Sequence, residues 1–275
     1  MMRTLVLGLG EGETTDSPYA RYFNPRMAPL PGHVLEALSK GPVAHELLAP
    51  FARAGALQED GHGLAETAYT LAPDGSARIA CLTEMPGVTP AMWDWWFAWH
   101  GSEAPRYKLW HPLAHVDVAW ADGEGDTGRY VGRTSNIVEY VGARRMNVGV
   151  RFVAPAAIGF DAGDLARRGQ VAICGRCLMR DLHMEVGWLV HLIRPVPGGS
   201  EMRSRFWIGG PHVNPIGMTG RVGRFIGRTA AMLRPFSVSQ ATELLIHDAQ
   251  EMNHLAAFLP ALFAEFGPDA TGSGS

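Results

Sequence analysis

From about residue 66 the chain alternates apolar and polar residues through one short segment after another, and near its end it changes period into a long amphipathic helix. AETAYTLA and ARIACLTEM are separated by Pro73-Asp74-Gly75-Ser76, a hairpin signal. HVDVAW, SNIVEYVG, NVGVRFVA, QVAICGRCLM, HMEVGWLVHLIRPV and EMRSRFWIGG continue the strand pattern, the last two joined by Pro197-Gly198-Gly199-Ser200. One helix-like segment after Pro90 interrupts the series, and residues 220–233 predict a short helix ending before Pro235. Ser237 with Gln240 three residues later is a capping-box signature. It opens SQATELLIHDAQEMNHLAAFL, a helix running to about Phe258, before Pro260. Antiparallel strands closed by one long helix predict an α+β fold in which a curved sheet grips that helix over a cavity.

Ahead of the strands, residues 1–31 read as an extended arm, with short helices at 33–40 and 43–54 whose apolar face is Leu35, Leu38, Leu47, Leu48 and Phe51. Such an arm either wraps its own domain or clasps a second subunit. The expected division is an N-terminal arm with short helices over 1–65, a catalytic domain over 66–265 and a flexible tail over 266–275. Gly8, Gly10 and Gly12 have G-x-G-x-G spacing with no helix-forming segment behind them, which argues against a nucleotide loop.

Composition excludes several classes. A net charge of −3 gives no electrostatic case for nucleic acid or an anionic membrane. No apolar run approaches the roughly 20 residues of a membrane span, and the N-terminus lacks a secretory pattern. Three cysteines cannot build a disulfide framework, so a reducing cytoplasm is the expected compartment. Cys174 and Cys177 form a lone CxxC and read as incidental thiols.

Chemistry concentrates in two places. Trp93 to His115 holds five of the chain's eight tryptophans (Trp93, Trp95, Trp96, Trp99 and Trp110) and three of its eleven histidines, His100, His111 and His115. Flat apolar surface beside imidazole suits a pocket for an aromatic ligand and a metal, although a tryptophan-rich packing seam has the same composition. On the terminal helix His247 and Glu251 are four apart and share a face, with Glu243 and His254 on the same stripe and Leu244, Leu245 and Leu255 pointing elsewhere. They can present an imidazole nitrogen and a carboxylate oxygen to one metal, or form an exposed ion pair. His111 and His115 straddle Pro112, so a helix through both is not expected, and His115 opens the strand HVDVAW. Glu139, within SNIVEYVG, is either solvent-facing or compensated by a cation.

The run WWFAWH…RYKLWHPLAH, with HMEVGWLVHLIRP, SRFWIGG and the IHDAQEMNHLA helix, resembles the diacetylphloroglucinol hydrolase family, which also includes phloretin hydrolase; the likeness extends from about residue 80 to 258. The resemblance implies a helix-grip fold like START domains and the birch pollen allergen, with an N-terminal extension used in a homodimer. It implies one zinc ion per chain held by His115, Glu139, His247 and Glu251. It implies hydrolysis of the carbon–carbon bond between an acyl group and a phloroglucinol ring of a small aromatic ketone. Protonating the acyl-bearing carbon makes a cyclohexadienone, and the ring departs as a stabilised enolate while water attacks the activated carbonyl.

On the same footing, Tyr107 corresponds to a substrate-contacting tyrosine, and His183 to a pocket histidine able to donate the proton to the ring. On one unbulged strand His183 and His191 would share a face with Glu185. Trp96, Trp110, His191, Phe206 and Trp207 are the expected pocket walls. The chain departs from the family where a second phenolic contact falls on Phe206 and a polar one near Val118, which makes the pocket more apolar and points toward a longer acyl chain or another polyphenol ketone. Two other readings fit the residues: a non-catalytic helix-grip carrier of aromatic or lipid-like ligands, and a zinc esterase or amidase acting on aryl substrates.

Overall fold

The computed structural model describes residues 17–218 and 220–268; the glycines at 8, 10 and 12 and the TGSGS tail lie outside them. The strands are β1 (Ala68–Leu71), β2 (Ser76–Pro86), β3 (His115–Trp120), β4 (Thr134–Val141), β5 (Arg144–Val153), β6 (Val171–Met179), β7 (Met184–Val196), β8 (Gly199–Gly209) and β9 (Asn214–Pro215). They form one nine-stranded sheet in the order β1-β2-β8-β7-β6-β5-β4-β3, with β9 added beside β7, and every pairing is antiparallel. The helices are α1 (Gly32–Lys40), α2 (Pro90–Trp99), α3 (Ala104–Trp110), α4 (Ala162–Arg167), α5 (Gly220–Leu233), α6 (Val238–Ala256) and α7 (Leu259–Phe266). The long helix α6 lies in the grip of the sheet, so the fold is the expected α+β helix-grip.

Local chemistry accounts for the boundaries. Asp74 accepts hydrogen bonds from the Ser76 backbone N–H and hydroxyl at the β1–β2 turn, and Gly75 takes the positive φ of 79° that the turn needs. Ser237 and Gln240 form the anticipated capping box on α6. Pro260, read above as a stop, instead starts α7: a proline in the first helical turn removes an N–H that would have no intrahelical partner.

The two faces of the sheet have different neighbours. On β8, Met202, Phe206 and Ile208 face the core under α6, while Trp207 joins Ala54, Leu57, Val190 and Leu192 on the opposite side. That outer side is covered by the N-terminal region, where Phe51 stacks on Trp188 at 4.8 Å and the Trp207 indole N–H donates to the Ala49 carbonyl at 2.9 Å. Tyr19 is buried against Trp99 and Phe266. The described part of the arm therefore wraps its own domain.

Strand β7 carries a register shift opposite Cys177 and Leu178: Gly187 pairs with Cys177 and Glu185 with Leu178, leaving Val186 as the extra residue. A Cβ on Gly187 would lie 2.3 Å from Ile208 Cδ1 and 2.7 Å from the Trp207 carbonyl, so the close approach requires glycine. The bulge inverts the inward–outward alternation between Glu185 and His191.

Candidate metal centre and its cavity

His115 and Glu139 are direct partners across the β3–β4 pairing. Opposite residues of an antiparallel pair project from the same face, which brings their side chains together. One helical turn apart on α6, His247 and Glu251 point at the same spot. His115 Nε2 lies 3.3 Å from Glu251 Oε2 and 3.6 Å from Glu139 Oε2, and His247 Nε2 lies 3.7 Å from each of these oxygens. The four side chains are buried or nearly so, from sheet and helix alike.

Tyr107, on α3, organises this cluster in three ways. Its carbonyl accepts the His115 Nδ1 proton at 2.9 Å, and its ring stacks on the His115 imidazole at 3.7 Å with an interplanar angle of 5°. Its hydroxyl donates to Glu139 Oε2 at 2.5 Å. With Nδ1 committed to a carbonyl, His115 presents the Nε2 lone pair to the cluster, and that buried nitrogen has no hydrogen-bond partner.

Burial pushes the Glu139 carboxyl up to about 7 despite the Tyr107 hydrogen bond, and pushes Glu251 well above the carboxylate range. It pushes His247 down to about 4 and His115 well below the ordinary imidazole value. A buried cluster of this kind disfavours its own charges until a cation is placed among them. His115, His247 and Glu251 offer donor atoms within 4.8 Å of one another, a set that can share one metal ion, and Glu139 Oε2 stands beside it at 3.6 and 3.7 Å from the two imidazole nitrogens; carboxylate–imidazole sets without thiolate are accepted by zinc and other divalent ions.

Beside the cluster a cavity of about 490 Å³ runs between the sheet, α5 and α6. Tyr107, Trp110, Glu139, His191, Phe206, His247 and Glu251 line it. Three expected site residues, His183, Trp96 and Trp207, are placed elsewhere. His183 is exposed in the β6–β7 turn at a left-handed φ of 51°, and the Val186 bulge removes the parity that grouped it and Glu185 with His191. Glu185 points outward to Arg151 and Arg176. Trp96 is fully buried behind the wall, stacked on His100 at 5.2 Å and accepting the His100 Nδ1 proton through its carbonyl. Trp207 faces the outer side of the sheet because it alternates with Phe206.

Of the remaining candidates, Glu243 pairs with Arg144 at 2.7 Å, and His254 Nδ1 accepts from the Ala28 N–H at 3.3 Å, so both face away from the cluster. His111 stacks on His247 at 4.8 Å. Cys174 and Cys177 belong to different packing clusters on β6. Two residues given no role in the sequence reading stand behind the cavity wall at His191: Ser204 Oγ lies 2.8 Å from His191 Nδ1, and the buried Asp248 carboxylate lies 3.9 Å from the same nitrogen. Asp248 adjoins His247, and that adjacency was the only signal in the sequence that could have drawn attention to it.

Residues 48–264 match the family model described as the DAPG hydrolase PhiG domain. A 2,4-diacetylphloroglucinol hydrolase from a Pseudomonas species is 33% identical over 275 aligned residues, spanning 93% of this chain and 90% of that protein. Phloretin hydrolase from Eubacterium ramulus is 31% identical over 269 residues, spanning 94% and 93%. Among solved structures, protein Ms6760 from Mycobacterium smegmatis is similar at 12% identity and a TM-score of 0.39, covering 71% of this chain and 98% of that one. With more than half its length matched by the family model, the chain belongs to the DAPG hydrolase PhiG domain family.

Proposed function

We propose that the protein is a zinc-dependent hydrolase of acylated polyphenols, breaking the bond between an acyl carbon and a phloroglucinol-type ring and releasing a carboxylic acid and the deacylated phenol. The observation that carries this reading is the buried donor set of His115, His247 and Glu251, with Glu139 beside it, opening on an aromatic-walled cavity. The relatives named above act on 2,4-diacetylphloroglucinol and on phloretin, both acylphloroglucinols.

One zinc per chain would be held by those four residues, and when bound it supplies a Lewis acid that activates the carbonyl or a water for attack. Tyr107 keeps His115 in one tautomer and orientation and holds the Glu139 carboxylate. Phe97, Trp110 and Phe206 offer the ring flat apolar walls that exclude bulk water. Burial pushes His191 down to about 3, so it is neutral at pH 7 and serves as a hydrogen-bond partner for a ring hydroxyl rather than as an imidazolium acid. The electron pair of the broken bond stays on the ring, whose carbon takes a proton, while the acyl carbon gains the hydroxyl of water.

The reading includes a reducing cytoplasmic location, supported by three free buried cysteines, and a homodimer, for which light scattering is the test. A carrier that only binds aromatic ligands gains nothing from burying two carboxylates and two imidazoles together, because each costs free energy there. His247→Ala and Glu251→Ala are each expected to abolish stoichiometric zinc and the release of acid from 2,4-diacetylphloroglucinol, monoacetylphloroglucinol and phloretin. Full zinc occupancy in both variants would overturn the ligand assignment.

A further inference from the structure

The lining of the cavity changes in character along its length, and Glu139, His247 and Glu251 of the metal-ligand cluster are part of it. Inward lie Phe97, His100, Trp110, Phe152, His191 and Phe206, in ring contact with one another at centroid distances of 5.2 to 5.9 Å among Phe97, His100, Trp110, Phe152 and His191, and 5.7 Å from His191 to Phe206. Toward the end where β4 and β6 finish and β7 begins, the lining is mostly aliphatic, with Val141, Met179, Met184, Val213, Ala231 and Leu244, and Phe236 adds one ring among them. Polar side chains return only at the rim, with Arg144, Arg234 and Gln240.

A substrate cleaved between ring and carbonyl must place its carbonyl at the cluster, its ring on one side and its acyl tail on the other. The ring needs stacking surface and a hydroxyl partner, and both are inward, at the aromatic wall and His191. The tail is left with the mostly aliphatic end. From His247 to Gln240 is seven residues of helix, so this end is about 10 Å long. An extended alkyl chain advances about 1.25 Å per carbon and fills that length with about eight carbons.

From this division we infer that the preferred substrates are phloroglucinol-type ketones with an unsubstituted apolar acyl chain of about six to eight carbons, and that acetyl ketones are poor substrates. The inference rests on the acyl–aryl hydrolase reading above. Phe206 belongs to the same picture: a phenylalanine on the inner wall offers stacking surface without a hydroxyl. Ala230 and Ala231, on the underside of α5, leave room that larger side chains would fill.

The test is a series of 2-acylphloroglucinols from acetyl to decanoyl assayed with the zinc-loaded full chain. Beside it runs calorimetric binding of the matching 2-alkylphloroglucinols, which carry ring and chain but no cleavable carbonyl. Each buried methylene is worth about fourfold in binding, so kcat/KM and affinity should both rise by about that factor per carbon up to about eight, then level off. In Ala231→Trp the octanoyl-to-acetyl ratio of kcat/KM should fall at least tenfold. Affinity that climbs with alkyl length while no acyl compound is cleaved would support the channel and sink the hydrolase reading. Cleavage that is fastest for acetyl, with affinity independent of chain length, would overturn the inference and leave the hydrolase reading intact.

Discussion

Tyr107 shows how much one residue outside a donor set can decide about it. Its carbonyl sets the His115 tautomer, its ring fixes the plane of that imidazole, and its hydroxyl holds one oxygen of Glu139. Substituting phenylalanine keeps the first two contacts and removes the third. The Glu139 carboxylate then turns more freely and loses a charge-assisted hydrogen bond in a buried site. Partners of this kind, one bond behind a ligand, typically change metal affinity by about 10- to 100-fold. Tyr107→Phe is therefore expected to bind zinc about 10- to 100-fold more weakly, read by competition with a chromogenic chelator; wild-type affinity would show that the hydroxyl does not help to hold Glu139 for zinc. The sequence marks Tyr107 as a candidate but attaches it to the substrate, because a tyrosine on a helix and a glutamate 32 residues later carry no joint pattern. The neighbourhood of Glu139 and His115 was equally hidden, since it exists only through the strand register.

At the scale of elements, periodicity and capping reveal what is local and miss what depends on pairing. The terminal helix, its capping box, the helix after Pro90 and the β1–β2 and β7–β8 turns were all legible. Helix α7 was not, because Pro260 can end one helix or begin the next. Nor was the β7 bulge, because period-two counting assumes an unbroken ladder; one extra residue put His191 in the cavity and left His183 outside it. Capping also gives a prediction for the helix that carries two of the proposed ligands. The Ser237 hydroxyl accepts from the Gln240 N–H at 3.2 Å, three turns from His247. Ser237→Ala should lower unfolding free energy by about 1 kcal/mol in urea titrations. Zinc affinity should stay within about threefold, since fraying is confined to the first turn. A large loss of zinc would mean that the helix end and the ligand turn move together.

Across the whole molecule, the junction between the N-terminal extension and β1 is held to the outer face of the sheet by a charged cluster as well as by apolar contacts, and Arg203 also donates to the Leu57 carbonyl within the extension at 2.7 Å. Glu66 accepts hydrogen bonds from Arg203 Nε at 3.0 Å and Arg203 Nη2 at 2.7 Å, and from Arg205 as well. Whether an arm wraps or clasps could not be read from residues 1–65, because these arginines are more than 130 positions away in the chain. Burial alone would raise the Glu66 carboxyl, but the two guanidinium groups outweigh it and hold the group down to about 2, against an ordinary value of 4.5. A depressed carboxyl contributes stability that is fully present above the unfolded value and is lost as pH falls through the folded one. The contribution should therefore be complete at pH 6 and decline between about 4.5 and 2. Solvent screens part of the cluster, so about 2 kcal/mol is a fair magnitude. Glu66→Gln separates this group from the other carboxylates: its stability deficit relative to the wild type, from urea unfolding at fixed ionic strength, should be near 2 kcal/mol at pH 6 and at least halved by pH 3. A deficit that does not change between those values would mean that glutamine costs only packing there, and that the charge of Glu66 does not hold the junction behind the extension to the sheet.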